Sequence, residues 1–161
     1  AVGYKLMHMR QPTVSTVTEL QVSIADLDQV LEETAFLKPY RFKVRSCAPG
    51  ECVLESAFRP EFERPGGIIS GMTLMGAGDV AMWLAIMTLR GAKETWVTTD
   101  MKTAFLRSGR QENVMCTARV LKLGQRTAYG SAECHGASSG LLAHHVISYS
   151  KVDSAQSATS V

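Results

Sequence analysis

Ser70-Gly71-Met72-Thr73-Leu74-Met75-Gly76-Ala77-Gly78-Asp79-Val80-Ala81-Met82-Trp83-Leu84-Ala85-Ile86-Met87-Thr88-Leu89 is the stretch on which the fold turns. From Ile68 to Leu89, 22 residues carry one charge, that of Asp79. Ser70 reads as an N-cap, and Gly91, just after Arg90, as a C-terminal stop. Between them lie about five turns at 3.6 residues per turn. The helix is apolar nearly all round, the mark of a helix buried on most sides. Its length also suffices to cross a bilayer, but a carboxylate near the midpoint is costly there, and Gly71, Gly76 and Gly78 interrupt the run. A core helix wrapped by a sheet accounts for the same composition, so no membrane partner is expected.

Downstream the period changes from helical to two. Residues 94–107, 112–123, 126–135 and 141–152 read as four strands, and the short joints between them require antiparallel neighbours. Upstream, 24–36 reads as a helix capped by Asp26 and stopped by Pro39. Residues 40–47 and 52–58 form a hairpin across Ala48-Pro49-Gly50, and Pro60 with Pro65-Gly66-Gly67 marks a loop. The order predicts an α+β domain over 22–152, an antiparallel sheet of about six strands wrapped round one long helix. Residues 1–21 lack a clear period, and 153–161 read as a flexible Ser/Ala/Thr-rich tail.

The 161 residues and 17.5 kDa fit one domain, large enough to stand without disulfides or metals. A net charge of +2 leaves no electrostatic footprint for nucleic acid. Cys47, Cys52, Cys116 and Cys134 form no C-x-x-C pair and no zinc-spaced cluster. They read as reduced thiols in a cytoplasmic protein without a signal peptide, although Cys47 and Cys52 can face each other across the hairpin. A mean hydropathy of +0.01 is somewhat apolar for this size and points to the central helix and to a subunit interface.

Two motifs resemble catalytic signatures without their context. Gly76-Ala77-Gly78-Asp79-Val80-Ala81, with Asp100 about twenty residues on, outlines a dinucleotide fingerprint, but it falls inside a helix in an antiparallel setting. Gly67-Ile68-Ile69-Ser70-Gly71 places its serine one residue late for a nucleophile elbow. His144 and His145 are adjacent in a strand, so they point to opposite faces and cannot chelate one metal together.

Asp79 carries the chemistry. A lone carboxylate in an apolar helix requires a purpose or a partner. In the structural alternative it accepts a hydrogen bond from Thr98, Thr99 or Lys102. In the functional one it acts as general base or nucleophile beside the helix N-terminus. There Ser70-Gly71-Met72 presents amides without helical partners and the positive end of the dipole. Gly71 admits close approach of a ligand. The Gly71 and Met72 amides then form an oxyanion hole for a thioester carbonyl.

The run Arg64-Pro65-Gly66-Gly67-Ile68-Ile69-Ser70-Gly71, continued by Leu74-Met75-Gly76-Ala77-Gly78-Asp79-Val80-Ala81, resembles hotdog-fold acyl-CoA thioesterases of the PaaI type. So does Val97-Thr98-Thr99-Asp100-Met101-Lys102-Thr103-Ala104-Phe105-Leu106-Arg107. The resemblance spans about 40–152. It places Ser70-Gly71-Met72 where relatives carry an H-G-G-like start, and Asp79 at their acidic position. It implies hydrolysis of an acyl-CoA with no cofactor beyond the coenzyme A of the substrate. It also implies a homodimer or dimer of dimers with sites at the subunit interface. In that picture Thr99 and Asp100 reach in from the partner subunit, and Arg107 and Arg126 meet coenzyme A phosphates. Arg64, or Glu63 beside it, falls near an asparagine that binds water or the carbonyl in some relatives. Serine in place of histidine, Met72 in place of the second glycine, and Ser108 in place of a usual proline are departures. They leave two alternatives open: an acyl-binding module without turnover, and a hydratase or dehydratase, whose Asp/His pair at the helix start Ser70 interrupts.

Overall fold

The computed structural model describes residues 19–153. The expectations for 1–18 and 154–161 lie outside the described residues. In chain order the elements are α1 (Ile24–Glu33), a 3-10 turn (Ala35–Tyr40), β1 (Lys43–Ala48), β2 (Glu51–Ser56) and a second 3-10 turn (Pro60–Phe62). Then come β3 (Glu63–Arg64), β4 (Ile68–Ile69), α2 (Gly71–Arg90), β5 (Thr95–Phe105), β6 (Val114–Leu123), β7 (Thr127–Gly136) and β8 (Gly140–Val152). One six-stranded sheet has the order β1-β2-β6-β7-β8-β5, with every neighbouring pair antiparallel. β3 and β4 form a separate two-stranded ribbon in the stretch expected to be a loop.

α2 is the core. Leu84, Ala85, Ile86, Ala81 and Met82 are fully buried, and the inward residues of four strands meet them: Cys52 and Leu54, Cys116 and Ala118, Ala132 and Cys134, Ala143 and Ile147. These alternate with outward residues, as a one-sided sheet requires. Small inward residues let the sheet approach the helix closely. One close fit is at Gly78, where a Cβ would come within 2.6 Å of the His145 ring. His145 is fully buried, with Nδ1 2.9 Å from Thr103 Oγ1 and Nε2 3.5 Å from Cys134 Sγ, while His144 lies half-buried on the other face.

Two boundaries differ from expectation for local reasons. α1 is capped by Ser23, not by Asp26: the Asp26 N–H donates to Ser23 Oγ, and Asp26 Oδ2 accepts from the Ser23 N–H, completing a capping box. The helix stops at Glu33 and tightens into a 3-10 turn that carries Pro39. Cys47 and Cys52 are directly opposed in the β1–β2 hairpin, with Sγ atoms 3.7 Å apart and both thiols free.

Only one stripe of α2 escapes the sheet. Met72, Met75, Gly76, Asp79 and Trp83 are exposed or half-buried, at helical spacing. The stripe runs beside β5, the edge strand, which is exposed along most of its length.

Candidate active site

The N-terminus of α2 faces a cleft of about 360 Å³. Arg64, Gly71, Leu74, Phe105 and Arg107 are among its walls. The Phe105 ring lies over Gly71, where a Cβ would sit 3.0 Å from it. A larger hollow of about 500 Å³ lies elsewhere, between α1 and β1. Of its carboxylates, Asp28 is engaged through Oδ1 with the Val44 N–H, and nothing there faces a helix N-terminus.

The helix start is organised by Ser70. Its carbonyl accepts from the Thr73 and Leu74 amides, and its Oγ accepts from the Met72 N–H at 3.2 Å. The expectation of two free amides is therefore corrected: Met72's N–H is occupied by the cap. The Gly71 N–H has no acceptor among the described residues. It stands at the positive end of a 20-residue helix, beside the cleft. Met72 instead projects its side chain outward, 76% exposed.

Asp79 is half-buried on the open stripe. Its Oδ1 accepts from Thr98 Oγ1 at 2.7 Å and from Tyr149 Oη at 2.7 Å. Burial, and then the Asp79 charge, push the Tyr149 phenol far above its usual range, so it is a donor here. Among the described residues Oδ2 has no partner, and it is not among the buried unpartnered oxygens. Thr98 was among the expected partners of Asp79; Tyr149 was missed. The signal for it was an inward tyrosine in a period-two strand, whose hydroxyl requires a partner when buried.

Thr99 and Asp100 do not join this site in the same chain. β5 pairs with β8 as Thr98↔Tyr149 and then Asp100↔Ser148, so Thr99 is an inserted bulge residue. Its Oγ1 donates to the Ser148 carbonyl at 3.2 Å. The bulge reverses the parity of the strand. Trp96 and Thr98 face α2 before it, and Met101, Thr103 and Phe105 after it, while Asp100 turns to the outer face. In its own chain Asp100 therefore points away from Asp79, and the same bulge delivers Phe105 onto Gly71.

The arginines separate into two groups. Arg64 and Arg107 border the cleft, with Arg107 Nη1 donating to the Ser139 carbonyl at 3.0 Å. Arg126 pairs with Asp153 at 2.9 Å, beside Arg90 at the other end of α2. A helix of 20 residues spans about 30 Å, so Arg126 and Arg107 cannot serve one ligand head in a single chain. Among the described residues no three His, Cys, Asp or Glu side chains are placed to hold a metal ion.

A long helix cradled in an antiparallel sheet, with an open N-terminus and one carboxylate on its bare stripe, has counterparts among known proteins. Residues 66–143 match the profile of the "Thioesterase superfamily". The chain shares the hotdog fold and resembles the thioesterase superfamily over this stretch, just under half of its length. The match runs from the loop before α2 into β8 and includes both Gly71 and Asp79. A "putative esterase" of Saccharolobus solfataricus is 32% identical over 82 residues, which is 51% of this chain and 58% of that protein's length. The chain thus spans less than two thirds of that relative. A "putative thioesterase" from a Silicibacter species superposes with a TM-score of 0.76 at 25% identity, covering 84% of this chain and 96% of that one. The PaaI protein of Escherichia coli superposes with a TM-score of 0.70 over 81% of this chain and 97% of its own, at 18% identity, a likeness of fold.

Proposed function

We propose that this chain hydrolyses an acyl-CoA thioester, working as a homodimer in which each site draws on both subunits. The observation that carries the reading is a pair of groups on one helix without a partner among the described residues, the Gly71 N–H and Asp79 Oδ2. The family match and the names of its relatives support hydrolysis of an ester or thioester. The geometry supports the division between subunits. Gly71 and Asp79 are eight residues apart on α2, a separation of about 12 Å along the axis, too far to act on one carbonyl. An antiparallel copy of α2 brings the Gly71 of one chain toward the Asp79 of the other. β5 offers an open edge beside that stripe for such pairing.

In this mechanism the thioester carbonyl oxygen receives the Gly71 N–H, reinforced by the helix dipole. Asp79 Oδ2 takes a proton from water as the water oxygen bonds to the carbonyl carbon. The tetrahedral oxyanion then collapses, the C–S bond breaks, and the departing thiolate takes up the proton. One water and one thioester give one acid and one thiol. Ile68, Leu74 and Phe105 offer an apolar wall to the acyl chain, and Arg64 and Arg107 offer cations to the coenzyme A phosphates. Thr99 and Asp100, on the exposed edge strand, are left to the dimer contact.

A panel of acyl-CoAs assayed for free thiol tests the reading. The wild type should release coenzyme A, and Asp79→Asn should lose about 10²–10⁴ in kcat with an unchanged melting temperature. Normal turnover by Asp79→Asn refutes the assignment. The occupied Met72 amide favours one second reading, acyl-CoA binding without hydrolysis. Its signature is thermal stabilisation by acyl-CoAs with no thiol released.

A further inference from the structure

Thr98 and Tyr149 are directly opposed across β5 and β8, on the face that meets α2. Their hydroxyls converge on the same carboxylate oxygen, each at 2.7 Å. Tyr149 is only 3% exposed, and its single proton has two acceptors in reach, Asp79 Oδ1 and the Asp79 carbonyl at 2.8 Å. The charged oxygen is the stronger acceptor. A carboxylate held in this way cannot exchange its two oxygens by rotation about χ2 without breaking two hydrogen bonds to a charged group.

Building on the reading of Asp79 as the reacting carboxylate, we infer that Tyr149 and Thr98 are a two-hydroxyl clamp that makes Oδ2 the sole reactive oxygen. Tyr149 is a positioning residue: it is buried, its hydroxyl bonds Asp79, and it acts through that carboxylate. The arrangement also accounts for a tyrosine at a buried sheet position that packing alone would fill with phenylalanine. Three elements must agree for the clamp to close: the helix supplies the carboxylate, and two adjacent strands supply one hydroxyl each. The bulge at Thr99 does not disturb it, because the register is still in phase at Thr98.

The test compares Tyr149→Phe, Thr98→Val and Thr98→Ser with Asp79→Asn under single-turnover and steady-state conditions. Tyr149→Phe and Thr98→Val should each lower kcat on the order of tenfold with KM within about twofold, the pattern of an interaction made in the transition state. Thr98→Ser should restore activity, since it keeps the hydroxyl. A packing role would instead lower the melting temperature and leave Thr98→Val and Thr98→Ser alike. If Asp79→Asn is inactive while Tyr149→Phe and Thr98→Val turn over normally, the clamp is overturned and the hydrolytic reading stands. A crystal structure supplies a readout independent of activity. Wild type should show Tyr149 Oη and Thr98 Oγ1 on one Asp79 oxygen, and the double variant should show the carboxylate in more than one rotamer. A wild-type structure with the Tyr149 hydroxyl bonded elsewhere overturns the proposal whatever the enzyme turns over.

Discussion

Glu112 is a buried carboxylate outside the site that nevertheless fixes one of its walls. Its Oε2 accepts from the Ser138 N–H at 2.7 Å, from Ser138 Oγ at 2.9 Å and from the Ser139 N–H at 3.1 Å, and Oε1 accepts from the Arg110 N–H. Burial alone would raise the carboxyl, but the bonds from Ser139 and Ser138 outweigh it and bring the pKa down to about 2. The group ties the loop after β5 to the β7–β8 turn, and Arg107 in that loop donates to Ser139. Because the folded pKa lies below the unfolded value of 4.5, this contribution is complete above about pH 4.5 and disappears as pH falls toward 2. Glu112→Gln should cost about 2 kcal/mol at neutral pH, the scale of hydrogen bonds to a charged group. It should also flatten the fall in stability across that acid window. Urea unfolding at pH 7, 5 and 3.5 checks both effects; equal acid sensitivity in the two proteins would refute the role. Nothing in the sequence marked Glu112, which reads there as the first residue of a polar strand start. Its partners lie in a turn 26 residues on.

At the scale of elements, α2 was legible because its apolar run exceeds any strand and its two ends carry their own signals, Ser70 and Gly91. β5 to β8 were legible by period two, since each buries one face on a helix. The bulge at Thr99 was not, because a bulge is a property of a pair of strands and the partner Ser148 is 49 residues away. That one inserted residue sets which way Asp100 and Phe105 face, so sequence reading placed Gly71 and Asp79 on one helix but did not show Phe105 over Gly71. Tyr149 escaped for a similar reason, lying 70 residues from Asp79. The contact between α2 and β8 makes a sharp prediction. Gly78→Ala is favourable for an isolated helix by about 1 kcal/mol. Here its Cβ would fall 2.6 Å from the buried His145 ring, which is held by Thr103 and cannot swing to solvent. The substitution should therefore destabilise by about 1–3 kcal/mol despite its propensity gain, as overpacked cores do. Gly78→Ser should destabilise at least as much, and thermal melts check both variants: an unchanged or raised melting temperature in Gly78→Ala would refute the close contact.

At the scale of the molecule, exposed apolar side chains gather where the bare stripe of α2 meets β5. Met72, Met75, Phe105 and Leu106 are all exposed there, beside an 11-residue strand with one unpaired edge. A surface of this kind calls for a cover, and a second copy with two-fold symmetry satisfies the edge and the stripe together. The division of each site between subunits can then be tested by complementation. Gly71→Pro removes the N–H assigned to the oxyanion. Proline is well tolerated at the first position of a helix, and Ser70 before it already has φ −60° and ψ 135°, compatible with a following proline. The Phe105 ring over Gly71 is 55% exposed and has room to give way. Gly71→Pro and Asp79→Asn homodimers should each be nearly inactive. Unfolding and refolding an equal mixture makes half the dimers mixed, and each mixed dimer holds one site with both groups intact and one with neither. Random assortment in a two-fold dimer should thus restore about a quarter of wild-type activity. If each chain carried a complete site of its own, the mixture would stay as inactive as its parents, and the shared-site mechanism would fall.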